Sequence, residues 1–534
     1  MDSEQRDSGR AAPGLLGRLR WNPTTPVFIL AAALFNAAVY HVPLFAYAFG
    51  HLDMASANGA LTVVTLFVLA VWVTSMIFGL VALASERALK PLLMFAFLGN
   101  SVALYFVQAY GVILDKTMMG NVFNTDAAEA AGLFHPKILL YLLALGVVPC
   151  LLLTRVTVKN APITRRLAFV GIVLGVTVAW AYANAKTWLW IDKNAKRLGG
   201  MAMPWSYLIN APRYLADQVK PREQKPLPPA TFASQGKTIV VLMIGEAARA
   251  ANFQLYGYPR PTNPVLSKAG VAVLPHTRSC TTYTTGSLLC MLSHVEGGSP
   301  TWEPLTSYLQ RSGVDVIWRT GNSGEPPMKV QTFERADKLR RDCRGEACAY
   351  DEVLLQGLEQ RIRASTQERV LVVLHLGGSH GPAYFQKYPP RFEAFTPVCK
   401  SVELQQCTDQ DLINAYDNTI VYNDYVVGQT IELLKRLAPV PAALMYMSDH
   451  GESLGEFGLY LHGTPYSIAP DFQKDIPFIA WLSDDFKRKK TIAPAQLAAD
   501  ATHSQANVFH SVMGAFDMKS DVYKPALDIF RGAP

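Results

Sequence analysis

The chain has 534 residues, 50% of them hydrophobic and only 17% charged, with a formal net charge of +7. That length exceeds one ordinary domain, and apolar content concentrated before residue 190 excludes a wholly soluble protein. The modest positive charge, with no Lys/Arg-rich run interleaved with aromatics, excludes nucleic acid and points to anionic lipid headgroups.

A hydrocarbon core of ~30 Å takes ~20 apolar residues per helix. Five segments meet that demand: 26–48, 60–84, 91–113, 138–154 and 167–185, the fourth being the shortest. Cations in the short connections set the orientation. They cluster in the N-terminal arm (Arg6, Arg10, Arg18, Arg20), the second connection (Arg87, Lys90) and the fourth (Arg155, Lys159, Arg165, Arg166). The opposite connections carry only Lys116 and Lys137. The N-terminus is therefore expected in the cytoplasm, and an odd number of spans delivers everything after residue 186 to the far side. No cleaved signal is needed, because the first apolar segment begins late and is long enough to span.

Between the third and fourth spans, Asn121, Thr125 and Glu129 fall at i, i+4 and i+8, on one face of a helix. That face suits an ammonium headgroup, with Glu129 as counter-charge; a solvated amphipathic turn fits the same spacing. Residues 186–230 pass from scattered aromatic and basic residues to the Pro-rich stretch Lys220–Pro229, an interfacial helix followed by an extended linker. The expected division is a transmembrane domain over 1–185, a connection over 186–230 and a soluble domain over 231–534.

Six of the seven cysteines lie in the exported part as close pairs: Cys280 with Cys290, Cys343 with Cys348, and Cys399 with Cys407. Even numbers in short loops fit disulfides in an oxidising compartment. Of the ~15 connectivities open to six cysteines, nearest-neighbour pairing closes the shortest loops. Zinc–thiolate sites are the rival, although no pair has Cys-x-x-Cys spacing.

In the soluble domain, β-rich apolar runs over Thr238–Ile244, Val314–Trp318, Val370–Leu374, Ala442–Met447 and Ile476–Trp481 alternate with helical patterns near Tyr350–Arg363 and Asp411–Arg436. That alternation predicts an α/β sheet, whose ligands gather beyond the carboxyl ends of the strands. Glu246 follows the first run, His375 and His380 the third, and Asp449, His450 and later His462 the fourth. Singly, each has a scaffold reading; Glu452 and Glu456 read as solvated helix residues. Together they supply the carboxylate and imidazole donors of a zinc or similar site. The loop Cys280-Thr-Thr-Tyr-Thr-Thr-Gly-Ser-Leu-Leu-Cys290 adds several hydroxyls. Metal-assisted displacement at phosphorus or sulfur is the chemistry such a set supports.

With these motifs in order, the chain resembles the membrane-anchored phosphoethanolamine transferases of Gram-negative bacteria, those that modify lipid A and confer polymyxin resistance. The resemblance implies a multi-domain membrane protein of the inner membrane: five transmembrane helices and a periplasmic α/β domain of alkaline phosphatase/sulfatase type. Gly245-Glu-Ala-Ala-Arg-Ala250 corresponds to the family's Gly-Glu-Thr-Ala-Arg-Ala, which makes Glu246 a zinc ligand. The nucleophile four residues after the first cysteine becomes Thr284, itself a ligand, with Asp449 and His450 completing the set. His375-x-x-Gly-Ser-His380 and His462-Gly imply substrate-binding histidines, with His380 and His462 catalytic, and Asn121, Thr125 and Glu129 match phosphoethanolamine-binding positions. The implied partners are phosphatidylethanolamine as donor, lipid A or lipopolysaccharide as acceptor and membrane lipids, with no nucleic acid and a monomeric chain. Transfer of phosphoglycerol, or transfer to core heptose, is the alternative. Ala247, Ala251, Thr281 and Leu289 depart from the usual Thr, acidic residue, Gly and Pro.

Overall fold

The computed structural model describes residues 21–125, 127–219, 223–497 and 501–531. It has two compact units: the described parts of Met1–Gln108 with His135–Asn210, and those of Ala109–Phe134 with Ala211–Pro534. The connection after the third apolar helix thus groups with the C-terminal unit.

Four helices of the first unit are long and apolar enough to cross a membrane: Ala57–Ala84, Glu86–Tyr110, Pro136–Thr154 and Ile163–Ala183. The expected first span, 26–48, is not one straight helix. It is the pair Thr25–Tyr40 and Val42–His51, bent by 59°. Pro43 sits in the first turn of the second piece, where a ring without an N–H would break a continuous helix. Counted as one span, the pair gives five. The fourth carries a π-helical turn over Leu142–Val147 immediately before Pro149, the usual way a helix absorbs a missing donor. Polar groups inside this unit bond to one another. Asn36 donates to the Met203 carbonyl at 2.9 Å and accepts from Asn100 at 2.9 Å, and Tyr207 donates to Asn100 at 2.9 Å.

The second unit is built on a seven-stranded sheet whose strands are β1 (Thr238–Gly245), β2 (Ala272–Leu274), β3 (Asp315–Thr320), β4 (Thr332–Arg335), β5 (Arg369–His375), β6 (Ala442–Ser448) and β7 (Phe478–Leu482). Their order is β2-β7-β6-β1-β5-β3-β4. The run β6-β1-β5-β3-β4 is parallel, and β7 runs antiparallel to both β6 and β2. Every residue of β1 is buried, the signature of a parallel strand covered on both faces. Its alternate side chains feed two cores: Ile239, Val241 and Met243 face the helix Asp409–Lys435, whereas Val240, Leu242 and Ile244 face Leu305–Arg311 and Ala506–Ala515.

The helix expected over Tyr350–Arg363 is broken into a 3-10 segment, Asp351–Leu355, and a short helix, Leu358–Arg363. Gly357 between them has φ 63, a left-handed conformation that an α-helix cannot continue through. The three disulfides pair as expected: Cys280–Cys290, Cys343–Cys348 and Cys399–Cys407.

Candidate active site

Sheet register brings the candidate residues together. Gly245 pairs with Ser448 and Ile244 with His375, while Thr320 of β3 also pairs with His375. The residues leaving β1, β6, β5 and β3 therefore emerge side by side: Glu246, Asp449-His450, the 376–380 turn and the 321–325 loop. Backbone bonds lock the turns, with Asp449 N–H donating to the Gly245 carbonyl and Ser379 N–H to the Glu246 carbonyl, each at 2.9 Å. Ala247 takes φ 53, which turns its N–H onto Asp449 Oδ1 at 3.0 Å. The departure at Ala247 is thus a buried backbone device, and that at Ala251 is exposed.

Thr284 opens the helix Thr284–Met291. The Cys280–Cys290 disulfide closes that loop, and Leu288 and Met291 pin the helix to the core. Thr281 Oγ1 donates to the Tyr283 carbonyl at 2.8 Å and lies 2.9 Å from Ser287 Oγ, so its side chain fastens the turn. The helix N-terminus presents unsatisfied N–H groups and positive charge to whatever binds beside Thr284.

Four side chains converge at this point. Thr284 Oγ1 lies 3.1 Å from Glu246 Oε2 and 3.4 Å from His450 Nε2. His450 Nε2 lies 3.3 Å from Glu246 Oε1 and 3.2 Å from Asp449 Oδ2. Ligands ~2.0 Å from a tetrahedral zinc stand ~3.3 Å apart, so the spacing fits that ion. Beyond these contacts with His450, the buried Glu246 Oε1 and Asp449 Oδ2 have no hydrogen-bond partner among the described residues, a costly arrangement that a bound cation would relieve. His450 Nδ1 is held by the Gly451 carbonyl at 2.9 Å, which leaves Nε2 to face the carboxylates. Glu246, His450 and His462 also offer ligand atoms within 4.8 Å of one another.

The electrostatics carry the same message. Burial pushes the Asp449 carboxyl up and the Glu246 charge pushes it further. Burial also opposes ionisation of Glu246, but the adjacent imidazoles of His450, His380 and His462 hold it well below the usual carboxylate range. Against burial, Asp449 and Glu246 draw His450 up to about 10. Two buried carboxylates sharing one imidazole form a net anionic centre suited to a divalent cation.

A pocket of about 50 Å³ opens over Thr284, walled by Asn121, Thr125, Asn322, His380 and His462. His380 and His462 stand with ring centroids 5.1 Å apart. His462 Nδ1 bonds Glu452 Oε2 at 2.8 Å, and Tyr384 donates to Glu452 Oε1 at 2.5 Å. Asn121 and Thr125 flank the end of the helix Lys116–Asn124. Gly463, at φ 84, admits this helix: a Cβ there would stand 2.8 Å from Asn121 Nδ2. Glu129 belongs to the helix Ala127–Gly132, but its side chain lies outside the described residues.

His375 does not reach the pocket. It is fully buried within β5, and its Nδ1 meets Thr320 Oγ1 at 3.2 Å and Glu325 Oε1 at 3.3 Å. Burial opposes its charge, but Glu325 raises its pKa, and His375 in turn holds Glu325 down to about 2 against burial. His375 is therefore a support beneath the site rather than a group that touches substrate. Nor are Glu452 and Glu456 solvated helix residues. Glu452 is fully buried beneath His462, and Glu456 pairs with the largely buried Arg249 at 2.6 Å.

Asn322 and Asn124 are site residues that sequence reasoning missed. Asn322 donates to Glu246 Oε2 at 2.5 Å from the loop after β3, and Asn124 lines the pocket beside Thr125. The polar run Thr320-Gly-Asn-Ser-Gly-Glu325 at a strand's carboxyl end was the available signal for Asn322.

The sulfatase family model matches residues 238–518, and the model for phosphoethanolamine transferase EptA/EptB matches residues 69–219. Phosphoethanolamine transferase EptA of Helicobacter pylori is 40% identical over 512 residues, 94% of this chain and 96% of that one. Phosphatidylethanolamine transferase Mcr-1 of Escherichia coli is 31% identical over 473 residues, 83% of this chain and 86% of that one. The structure of the integral membrane lipooligosaccharide phosphoethanolamine transferase A from Neisseria meningitidis superposes with a TM-score of 0.88 at 28% identity, covering 95% of this chain and 98% of that one. The protein is thus a multi-pass membrane enzyme with a periplasmic domain of alkaline phosphatase/sulfatase type. By these matches along nearly its whole length, the chain belongs to the EptA family of phosphoethanolamine transferases.

Proposed function

We propose that the protein is a zinc-dependent transferase that moves phosphoethanolamine from phosphatidylethanolamine to a phosphate of lipid A, through a covalent intermediate on Thr284. The carrying observation is the convergence of Thr284 Oγ1 with Glu246 and His450 at 3.1 and 3.4 Å beneath an open pocket. Glu246, Asp449, His450 and Thr284 would hold the metal. Bound there, Zn²⁺ supplies positive charge that lowers the hydroxyl's pKa and offsets charge on the phosphoryl oxygens.

The chain's own residues do the rest. Thr284 Oγ1 donates its hydrogen to Glu246 Oε2, which turns a lone pair toward the pocket for attack on phosphorus. The N–H groups at the start of the Thr284 helix face the phosphoryl oxygens. His462 is oriented by Glu452, and His380 stands on the pocket wall to protonate the leaving glycerol oxygen. Asn121, Asn124 and Thr125 hold the ethanolamine end, with Glu129 as its counter-charge. In the second displacement the acceptor's phosphate oxygen enters where diacylglycerol left. Residues 1–185 anchor this machinery, 186–230 connect it and 231–534 carry the chemistry.

Mass spectrometry of lipid A from cells expressing the chain tests the proposal: the wild type adds phosphoethanolamine and Thr284→Ala does not. Modification by Thr284→Ala at the wild-type rate would exclude the covalent step. Labelled phosphatidylglycerol serving as donor in place of phosphatidylethanolamine would favour the phosphoglycerol alternative.

A further inference from the structure

A second cavity, of about 200 Å³, lies beside the Thr284 pocket and shares two of its walls, Asn322 and His380. Its remaining lining includes the turn Gly381-Pro382-Ala383 with Gln386 and Lys387. It is four times the volume of the pocket over Thr284, and nothing in the mechanism above uses it. Lys387 is half-buried at the end of the short 3-10 turn Tyr384–Gln386. It forms no ion pair among the described residues, unlike Arg391 on the same segment, which bonds Glu346 and Glu352. A half-buried lysine without a carboxylate partner, lining a cavity that shares Asn322 and His380 with the Thr284 pocket, attracts an anion.

The two half-reactions make different demands on such a cavity. The group that leaves in the first, diacylglycerol, is neutral. The group that enters in the second is a phosphate monoester on a lipid saccharide, which is dianionic and brings a bulky sugar with it. We propose that the cavity walled by Lys387, Gln386 and His380 is the acceptor's subsite, with Lys387 the residue that selects a phosphate monoester over water or a neutral alcohol. This rests on the transferase reading above. In the step it serves, an oxygen of the acceptor phosphate attacks the phosphorus on Thr284. The new P–O–P bond forms as the bond from phosphorus to Thr284 Oγ1 breaks, and Oγ1 leaves with the electron pair and is reprotonated from solvent. His380, common to both cavities, lies on the path between them.

The test separates the half-reactions in the full-length protein reconstituted in vesicles of labelled phosphatidylethanolamine. Diacylglycerol released in a single turnover without acceptor reports the first step, and product formed on added lipid A reports the second. Lys387→Ala is expected to release diacylglycerol at the wild-type rate while the KM for lipid A rises about tenfold, the size of a lost hydrogen bond to a charged group. Lys387→Arg restores most of the affinity, and Lys387→Glu lowers it further. A Lys387→Ala enzyme whose KM for lipid A is unchanged overturns the proposal, as does an equal loss in both steps. Failure of wild-type protein to release diacylglycerol would instead count against the transferase reading itself.

Discussion

Glu452 offers a sharp test of how the site is held. It is fully buried and accepts from Tyr384 Oη at 2.5 Å and from His462 Nδ1 at 2.8 Å. A carboxylate only accepts, so it fixes the imidazole with its proton on Nδ1 and its Nε2 lone pair free. Burial and the Glu452 charge both push the Tyr384 phenol far above its ordinary pKa, so the phenol remains a donor. Glu452→Ala leaves two buried donors unsatisfied, each costing ~1–3 kcal/mol, for a total of ~2–6 kcal/mol. Loss of the group that orients His462 lowers activity by about 10- to 100-fold. Glu452→Gln keeps an oxygen for His462 and turns its amide toward the Tyr384 oxygen, so its cost falls to about 1 kcal/mol. Thermal unfolding in detergent and transferase rates on the same preparations measure both effects. If Glu452→Ala unfolds and turns over like wild type, the buried carboxylate does not position His462 and this account of the pocket is wrong.

Further outcomes follow from other parts of the molecule. Zinc added to the chelator-treated protein at about 100 times its Kd should stabilise it by about 2.7 kcal/mol; Glu246→Ala should abolish most of that gain in a thermal-shift titration, and an unchanged gain would place the ion elsewhere. Asp315 forms a two-pronged pair with Arg361 at 2.8 Å, and although burial opposes its charge, Arg361 and Ser365 depress its pKa. Its contribution to stability is therefore present above the unfolded value of about 3.9 and disappears as pH falls through the lower folded value. The Tm difference between wild type and Asp315→Asn should accordingly be largest near neutrality and shrink below pH ~4, whereas a constant difference would show that the charge is not responsible. In the membrane unit, Asn100 links Asn36 and Tyr207, and Asn100→Ala should destabilise the protein in detergent by ~0.6–2 kcal/mol.

The parallel strands were legible in the sequence because strands buried on both faces must be nearly all apolar, and the residues that interrupt those runs at their carboxyl ends are Glu246, Asp449 and His450. Their shared location needs only the general rule that ligands lie beyond such ends. What stayed hidden depends on strand order. Asn322 and Glu325 matter because β3 lies beside β5, and nothing local in the loop after β3 states that adjacency. His375 carries the right side chain for a ligand, but it is the last strand residue, registered with Ile244, and so lies beneath the pocket while His380 reaches it. Glu452 follows an Asp-His-Gly turn and reads as a solvated carboxylate until the chain returns to set His462 and Tyr384 against it. The bend at Pro43 and the break at Gly357 come from single residues inside otherwise continuous patterns, which periodicity averages away.

In the proposed reaction Thr284 Oγ1 is the atom that carries the transferred group. The direct measurement incubates the full-length protein with phosphatidylethanolamine and no acceptor, then digests it and sequences the peptide spanning Cys280–Cys290 by mass spectrometry. A phosphoethanolamine adduct on Thr284 that vanishes when lipid A is added is the predicted result. A peptide that stays unmodified while lipid A is still modified, or an adduct on Thr285 or Ser287 that discharges in place of Thr284, would contradict it.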